Sequence, residues 1–191
     1  MDIEYEATFE KVDKDGVRAR LRAAGAKLVR PEFTQRRVVF HLPKGHEIPG
    51  GWLRVRDEGD KVTMSLKIVT GTAIEDQKEI CLKVSDFEAA VELLRLVGAE
   101  KKSYQETRRE LWALDGADVT IDEWPFLEPF VEVEARDEAA VRSASEKIGF
   151  DYANALFCST DTLYARKYGI REERFNDHSP LVVFDMENPF V

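Results

Sequence analysis

Cysteine is scarce in this chain of 191 residues: Cys81 and Cys158 are its only two, far apart and outside any CxxC spacing. Neither a disulfide framework nor a thiolate zinc site is readable from such a pair, and a reducing compartment suits it. Histidine is almost as scarce, and His41, His46 and His178 share no metal-ligand spacing, so they read as structural residues. No apolar run approaches the roughly 20 residues of a bilayer span. The acidic start MDIEYEATFEKVD is also unlike the basic-then-apolar order of a signal peptide. The expectation is a cytoplasmic protein without a membrane partner. Basic charge is in deficit, 28 Lys and Arg against 37 Asp and Glu, for a net charge of −9. That balance argues against nucleic acid as a partner, because phosphate contacts along a duplex need a basic surplus on one face. Any anionic ligand must be held by a local cluster of cations. The glycines of PKGHEIPGG at 43–51 do not form GxGxxG and read as a hairpin loop. No serine sits in a nucleophile elbow, so covalent catalysis has no support.

What is present is ordinary globular material, 43% hydrophobic and 10% aromatic. A chain of this length buries roughly 70% of its unfolded surface and needs no staple. Apolar spacing of three and four predicts helices over 13–24, 86–97, 137–148 and 160–168. Asp13 is the N-cap candidate of the first, a Ser85–Glu88 capping box opens the second, and Gly25, Gly98, Gly149 and Gly169 stop the four. Segments rich in Val, Ile, Phe, Tyr and Thr predict strands over 2–10, 35–42, 51–57, 61–70, 76–84, 104–114, 117–123 and 129–135. Turn signals separate them, which predicts an α+β fold with a mostly hairpin-connected antiparallel sheet or barrel and a few helices outside. A weak echo links the halves: a glutamate-bearing strand (Glu4 and Glu6, or Glu79) precedes a helix that ends in Gly25-Ala26 or Gly98-Ala99. The arginines at 18, 20 and 22 read as a solvated helix face, and Trp124-Pro125 as a turn capping the sheet. Residues 1–170 are expected to form the domain, and 171–191 a tail packing on it, with 171–180 loop-like and the apolar Leu181–Phe184 run in need of cover. That run either closes one end of the barrel or forms the contact of a homodimer.

Charge on the strands is paired. Glu4 and Glu6, Arg54 and Arg56, and Glu132 and Glu134 each stand two residues apart and so share a strand face. In an open sheet this is core on one side and solvent on the other, the plainer reading of the pattern alone. In a closed barrel the same faces converge on a lumen. Glu4, Glu6, Glu79, Asp122, Glu132 and Glu134 would then meet Arg54, Arg56, Lys67 and Arg109, six negative charges against four positive. Carboxylates so crowded suit a hard divalent cation, Mg²⁺ or Mn²⁺, while Arg and Lys suit a polyphosphate that the cation also bridges.

IEYEAT at 3–8, WLRVRDEGDKVTMSLK at 52–67, QKEICLKVSD at 77–86, RRELW at 108–112 and VTIDEWPFLEPFVEVE at 119–134 stand in an order that resembles the CYTH, or triphosphate tunnel metalloenzyme, superfamily. That superfamily includes class IV adenylate cyclases, thiamine triphosphatases and inorganic tripolyphosphatases. The resemblance covers roughly 2–168. It implies an eight-stranded antiparallel closed barrel whose lumen takes a triphosphate and a divalent metal. It also implies metal or water coordination by Glu4, Glu6, Glu132 and Glu134, with Asp122 matching the aspartate before the last strand. Arg54, Arg56, Lys67 and Arg109 match the phosphate contacts. The sequence departs from the pattern twice. Thr8 stands where the family's ExExK signature has lysine, and Thr107 stands at a second basic position two residues before Arg109. Together these predict a tunnel less positive than is usual.

Three functions follow as expectations. The leading one is metal-dependent hydrolysis of a small-molecule triphosphate or polyphosphate, such as tripolyphosphate, thiamine triphosphate or a nucleoside triphosphate. In that reading Glu4, Glu6, Arg56 and Lys67 lie closest to the chemistry. A class IV-like adenylate cyclase is the second, although no adenine pocket is readable. The third is a noncatalytic phosphate or nucleotide binder that lost turnover with the lysine at residue 8.

Overall fold

A computed structural model describes residues 1–191. The chain opens with β1 (Asp2–Ile3) and β2 (Tyr5–Phe9), followed by α1 (Lys14–Ala23), β3 (Lys27–His41), β4 (Gly51–Asp57) and β5 (Val62–Val69). It continues with β6 (Gln77–Val84), α2 (Phe87–Leu96), β7 (Glu100–Leu114), β8 (Ala117–Glu123) and β9 (Phe130–Ala135). It ends with α3 (Glu138–Lys147), α4 (Thr160–Tyr168), α5 (Glu172–His178) and β10 (Leu181–Val182). The strands run in the order β1-β6-β5-β4-β3-β7-β8-β9-β2, every neighbouring pair antiparallel. β1 and β2 are one pass of chain divided at Glu4. The first residues of that pass bond β6 and the later ones bond β9, so it joins the two edges of the sheet into a barrel. No helix is long and apolar enough to cross a membrane.

The sequence echo is a topological repeat. β1/β2, α1, β3, β4 and β5 recur in order as β6, α2, β7, β8 and β9, and β3 meets β7 at the junction of the two meanders. In both halves the first helix ends at a glycine with positive φ, 82° at Gly25 and 93° at Gly98, a left-handed backbone that a side chain would strain.

Apolar side chains gather in three clusters, two on the outer face of the barrel and a third whose Trp124 and Phe175 also line its cavity. α1 and α3 bury Val17, Leu21, Val141 and Ile148 against Ala7, Trp112, Val119 and Val133. α2 buries Phe87, Ala90 and Leu94 against Val38, Phe40 and Val55. α4, α5 and the terminal segment bury Leu163, Tyr164, Phe175, Val182 and Phe190 against Trp124 and Phe130. Phe175, Val182 and Phe190 of the last segment thus share this third cluster with α4 and the barrel.

Several local expectations need correction. Residues 172–178 form α5 where the sequence predicts a loop, because this short helix presents Phe175 to a stack on Tyr164 at 4.3 Å. β3 begins at Lys27 and β7 at Glu100, well before the predicted starts; Pro31 hides the first because it lies in an irregular stretch where the β3–β7 register shifts between Arg30 and Phe33. The N-cap of α2 is Asp86, whose carboxylate accepts from the Ala89 amide at 2.7 Å, in place of the Ser85 box. The arginines of α1 are not simply solvated: Arg18 bridges to Glu110 at 2.8 Å, and Arg20 lies 4.4 Å over the Phe150 ring.

Candidate active site

Alternation along the strands sends the remaining side chains inward. On the first pass Ala7 and Phe9 face out, while Glu4 and Glu6 face in; on β4 Val55 faces out, between Arg54 and Arg56; on β9 Val131 and Val133 face out, while Glu132 and Glu134 face in. The inward side chains line a cavity of about 750 Å³. Its walls differ in sign. β1/β2 and β9 carry the four glutamates, and β3, β4, β5 and β7 carry Arg37, Arg54, Arg56, Lys67 and Arg109.

On the acidic side, Glu6 is in register with Glu134, and a carboxylate oxygen from each of Glu4, Glu6 and Glu134 lies within 4.8 Å of the others. Burial, followed by the charges of Glu132 and Glu4, pushes the Glu6 carboxyl well above its usual range. Burial also raises Glu132, and burial with Glu4 raises Glu134. These carboxyls favour their protons in the absence of a cation, and a divalent ion would displace them. The donor set is all oxygen and converges from two adjacent strands, which fits Mg²⁺ or Mn²⁺.

The basic side is mostly neutralised by pairs. Lys67 Nζ lies 2.6 Å from Glu4, Arg54 lies 3.0 Å from Glu79, and Arg56 lies 2.8 Å from Glu58. Arg109 donates to Asp122 at 2.7 Å and to Glu132 at 2.5 Å. Burial opposes the charge on Glu79, but Lys67 and Arg54 outweigh it and hold that carboxyl at about 2. Burial together with Arg54 and Arg109 brings Arg56 down to about 10. The Nε atoms of Arg54 and Arg56 are buried without a partner. Each of these side chains thus keeps hydrogen-bonding capacity beyond its protein pair.

Most of the expected site residues meet here: Glu4, Glu6, Arg54, Arg56, Lys67, Glu79, Arg109, Glu132 and Glu134 all line one cavity. Asp122 does not. It is fully buried outside the lining, accepts from Arg109 and from the Thr120 hydroxyl at 2.5 Å, and so stands as the support of Arg109 rather than with the carboxylate cluster. Glu79 lies on β6 and is taken up by Arg54, apart from the Glu4, Glu6 and Glu134 triad. Thr8 is 3% exposed, in register with Glu132, and its backbone is bridged to Leu156. None of the three histidines lines the cavity.

Sequence reasoning missed two groups. Arg37 lines the cavity from β3, in register with Arg56, and the alternation of Gln35, Arg37 and Val39 could have revealed it. The far end is built from residues 157–162 and α5. There Lys102 donates to Asn176 at 2.6 Å, and Asn176 in turn donates to Asp161. No sequence signal joins those three.

Comparison with known families returns one decisive match, the CYTH domain, over residues 3–166. The chain belongs to the CYTH family. Among solved structures, the CYTH fold here resembles the PH1012 protein of Pyrococcus horikoshii OT3, with 20% identity and a TM-score of 0.68 over 84% of this chain and 98% of that one. A candidate adenylate cyclase from Vibrio parahaemolyticus matches with a TM-score of 0.71 at 13% identity, over 86% of this chain and 98% of that one. HpAC1 from Hippeastrum, a candidate adenylyl cyclase whose dominant activity is that of a triphosphatase, matches at 0.56 and 12% identity, over 88% and 97% of the two chains. No match was found among functionally curated proteins. Identities this low carry the CYTH fold and nothing finer.

Proposed function

We propose that this CYTH protein hydrolyses a triphosphate compound with a divalent metal in its barrel. The observation that carries the reading is the opposition of two walls in one cavity, carboxylates on β1/β2 and β9 facing cations on β3, β4, β5 and β7. Glu4, Glu6 and Glu134, with Glu132 beside them, would hold Mg²⁺ or Mn²⁺, which when bound polarises phosphate oxygens and lowers the pKa of its water. Arg54 and Arg56 present planar forks to the phosphate chain, and Lys67 a point charge. Arg109 is fixed from behind by Asp122, so its guanidinium is already oriented before the ligand arrives. Such preorganised cations stabilise the charge that moves onto the leaving phosphate, which is the larger part of phosphoryl-transfer catalysis. The experiment is product identification: purified protein with Mn²⁺ or Mg²⁺ and tripolyphosphate, thiamine triphosphate or ATP is expected to release orthophosphate. Cyclic AMP with pyrophosphate would establish a cyclase instead.

One observation favours a second reading. Thr8 supplies no charge at the place of the family lysine, so a barrel that binds triphosphate and turns none over remains the competing proposal. In that case the same assay gives no product while binding persists.

A further inference from the structure

Arg37 is 5% exposed and has no carboxylate within ion-pair distance, whereas Arg54, Arg56, Lys67 and Arg109 each have one. Its Nη2 donates to Gln35 at 2.8 Å and to Thr107 Oγ1 at 2.6 Å, both neutral acceptors, and its Nε is buried without a partner. Its guanidinium lies 4.6 Å over the Trp124 ring, which holds the plane in place without neutralising it. On the neighbouring strand it faces Arg56 in register, a like-charge pair that costs stability. Burial, then Arg54, Arg56 and Arg109, lower its affinity for the proton well below that of a free arginine. A cation left this way in the interior is expensive unless an anion completes it. Its two hydrogen bonds do not require a charge, since a neutral amide would serve Gln35 and Thr107 as well.

We infer that Arg37 is a phosphate-binding residue of this cavity, supplying from β3 the cation that Thr107 does not supply from β7. The inference rests on the triphosphate reading above. The geometry explains the exchange: Gln35 is in register with Thr107 and Arg37 with Gln105, so the Arg37 side chain reaches two residue pairs along the barrel to end at the Thr107 hydroxyl. The anion it takes is a phosphate oxygen that also lies within reach of Arg56. The metal cluster is on other strands, so the two functions are separable.

The test is Arg37→Gln, followed by thermal denaturation and by calorimetric titration with Mn²⁺ alone and with tripolyphosphate plus Mn²⁺. The ligand-free variant is expected to melt above the wild type, because an unpaired buried charge has gone. Its affinity for tripolyphosphate is expected to fall about ten- to hundredfold, as for loss of a charged hydrogen bond. Mn²⁺ affinity measured alone should be unchanged. Arg37→Lys, which keeps the charge and loses the fork, should fold and bind tripolyphosphate at least threefold more weakly than wild type; it decides the matter if the Gln variant does not fold. Wild-type affinity for tripolyphosphate in either folded variant overturns the role of Arg37 alone. A wild type that takes up no tripolyphosphate overturns the triphosphate reading and this inference together.

Discussion

Thr8 and Glu79 show how single residues set the chemistry of this barrel. Thr8 follows Glu4 and Glu6 on one strand face and stands opposite Glu132, whose carboxylate Arg109 already holds. Thr8→Lys would place an ammonium beside that pair, so tripolyphosphate affinity should rise. Turnover should rise only if the remaining groups already position the attacking water, since uniform binding lowers KM without raising kcat. Steady-state kinetics of the variant beside Thr8→Val separates the two; a Lys variant that binds no better than wild type contradicts the placement. Glu79 is held at about 2 by Lys67 and Arg54 against the burial that would raise it. A depressed carboxyl contributes stability that is full above its unfolded value, near 4.5, and is lost as pH falls toward 2. Glu79→Gln should therefore flatten the acid limb of the melting curve between those values. Glu6, Glu132 and Glu134 act in the opposite sense. Their carboxyls are raised, so the stability they add is full in acid and is lost as pH climbs through their elevated values. The metal-free protein should melt at a higher temperature near pH 5 than near pH 8, Mn²⁺ should restore the stability lost at the higher pH, and Mn²⁺ binding should release protons measurable by calorimetry in buffers of different ionisation heat.

At the scale of elements, the barrel wall was largely legible in the sequence and its end was not. Alternating residues such as Arg54, Val55 and Arg56, or Glu132, Val133 and Glu134, have a period of two that marks both the strand and the face that turns inward. α1, α2 and α3 carry regular apolar stripes and end at Gly25, Gly98 and Gly149, so their bounds were readable to within a residue or two. Pro31 interrupts the pattern of β3, and no local rule predicts a strand that continues through a proline. α5 has a polar sequence with one apolar anchor, Phe175, so its helix depends on tertiary contact with Tyr164 and Phe190. Arg37 went unread for a related reason: its meaning lies in the absence of an acidic partner across strands, which sequence does not display. The anchor can be tested. Phe175→Ala should cost about 3–5 kcal/mol of stability, the usual price of an aromatic core truncation, and should loosen the wall that Phe175 and Asn176 supply to the cavity. A denaturant midpoint within error of wild type would show that α5 does not hold that end.

For the molecule as a whole, the repeat of two strand–helix–meander units explains why one cavity holds opposed charge. β4 and β5 of the first unit bring Arg54, Arg56 and Lys67 to the cavity, and β9 of the second brings Glu132 and Glu134. Neither wall is content alone: the carboxyls cling to protons, and Arg37 and Arg56 are driven toward losing theirs. A ligand that carries a divalent cation on one side and phosphate oxygens on the other relieves both at once. Metal and phosphate are therefore expected to bind together. Titrating tripolyphosphate into wild type and into Glu6→Gln/Glu134→Gln, each with and without Mn²⁺, tests it most directly. Strong binding is expected only for wild type with Mn²⁺, at least tenfold tighter than in the other three cases; equal affinity with and without the metal, or in the double variant, would show that the two bind independently.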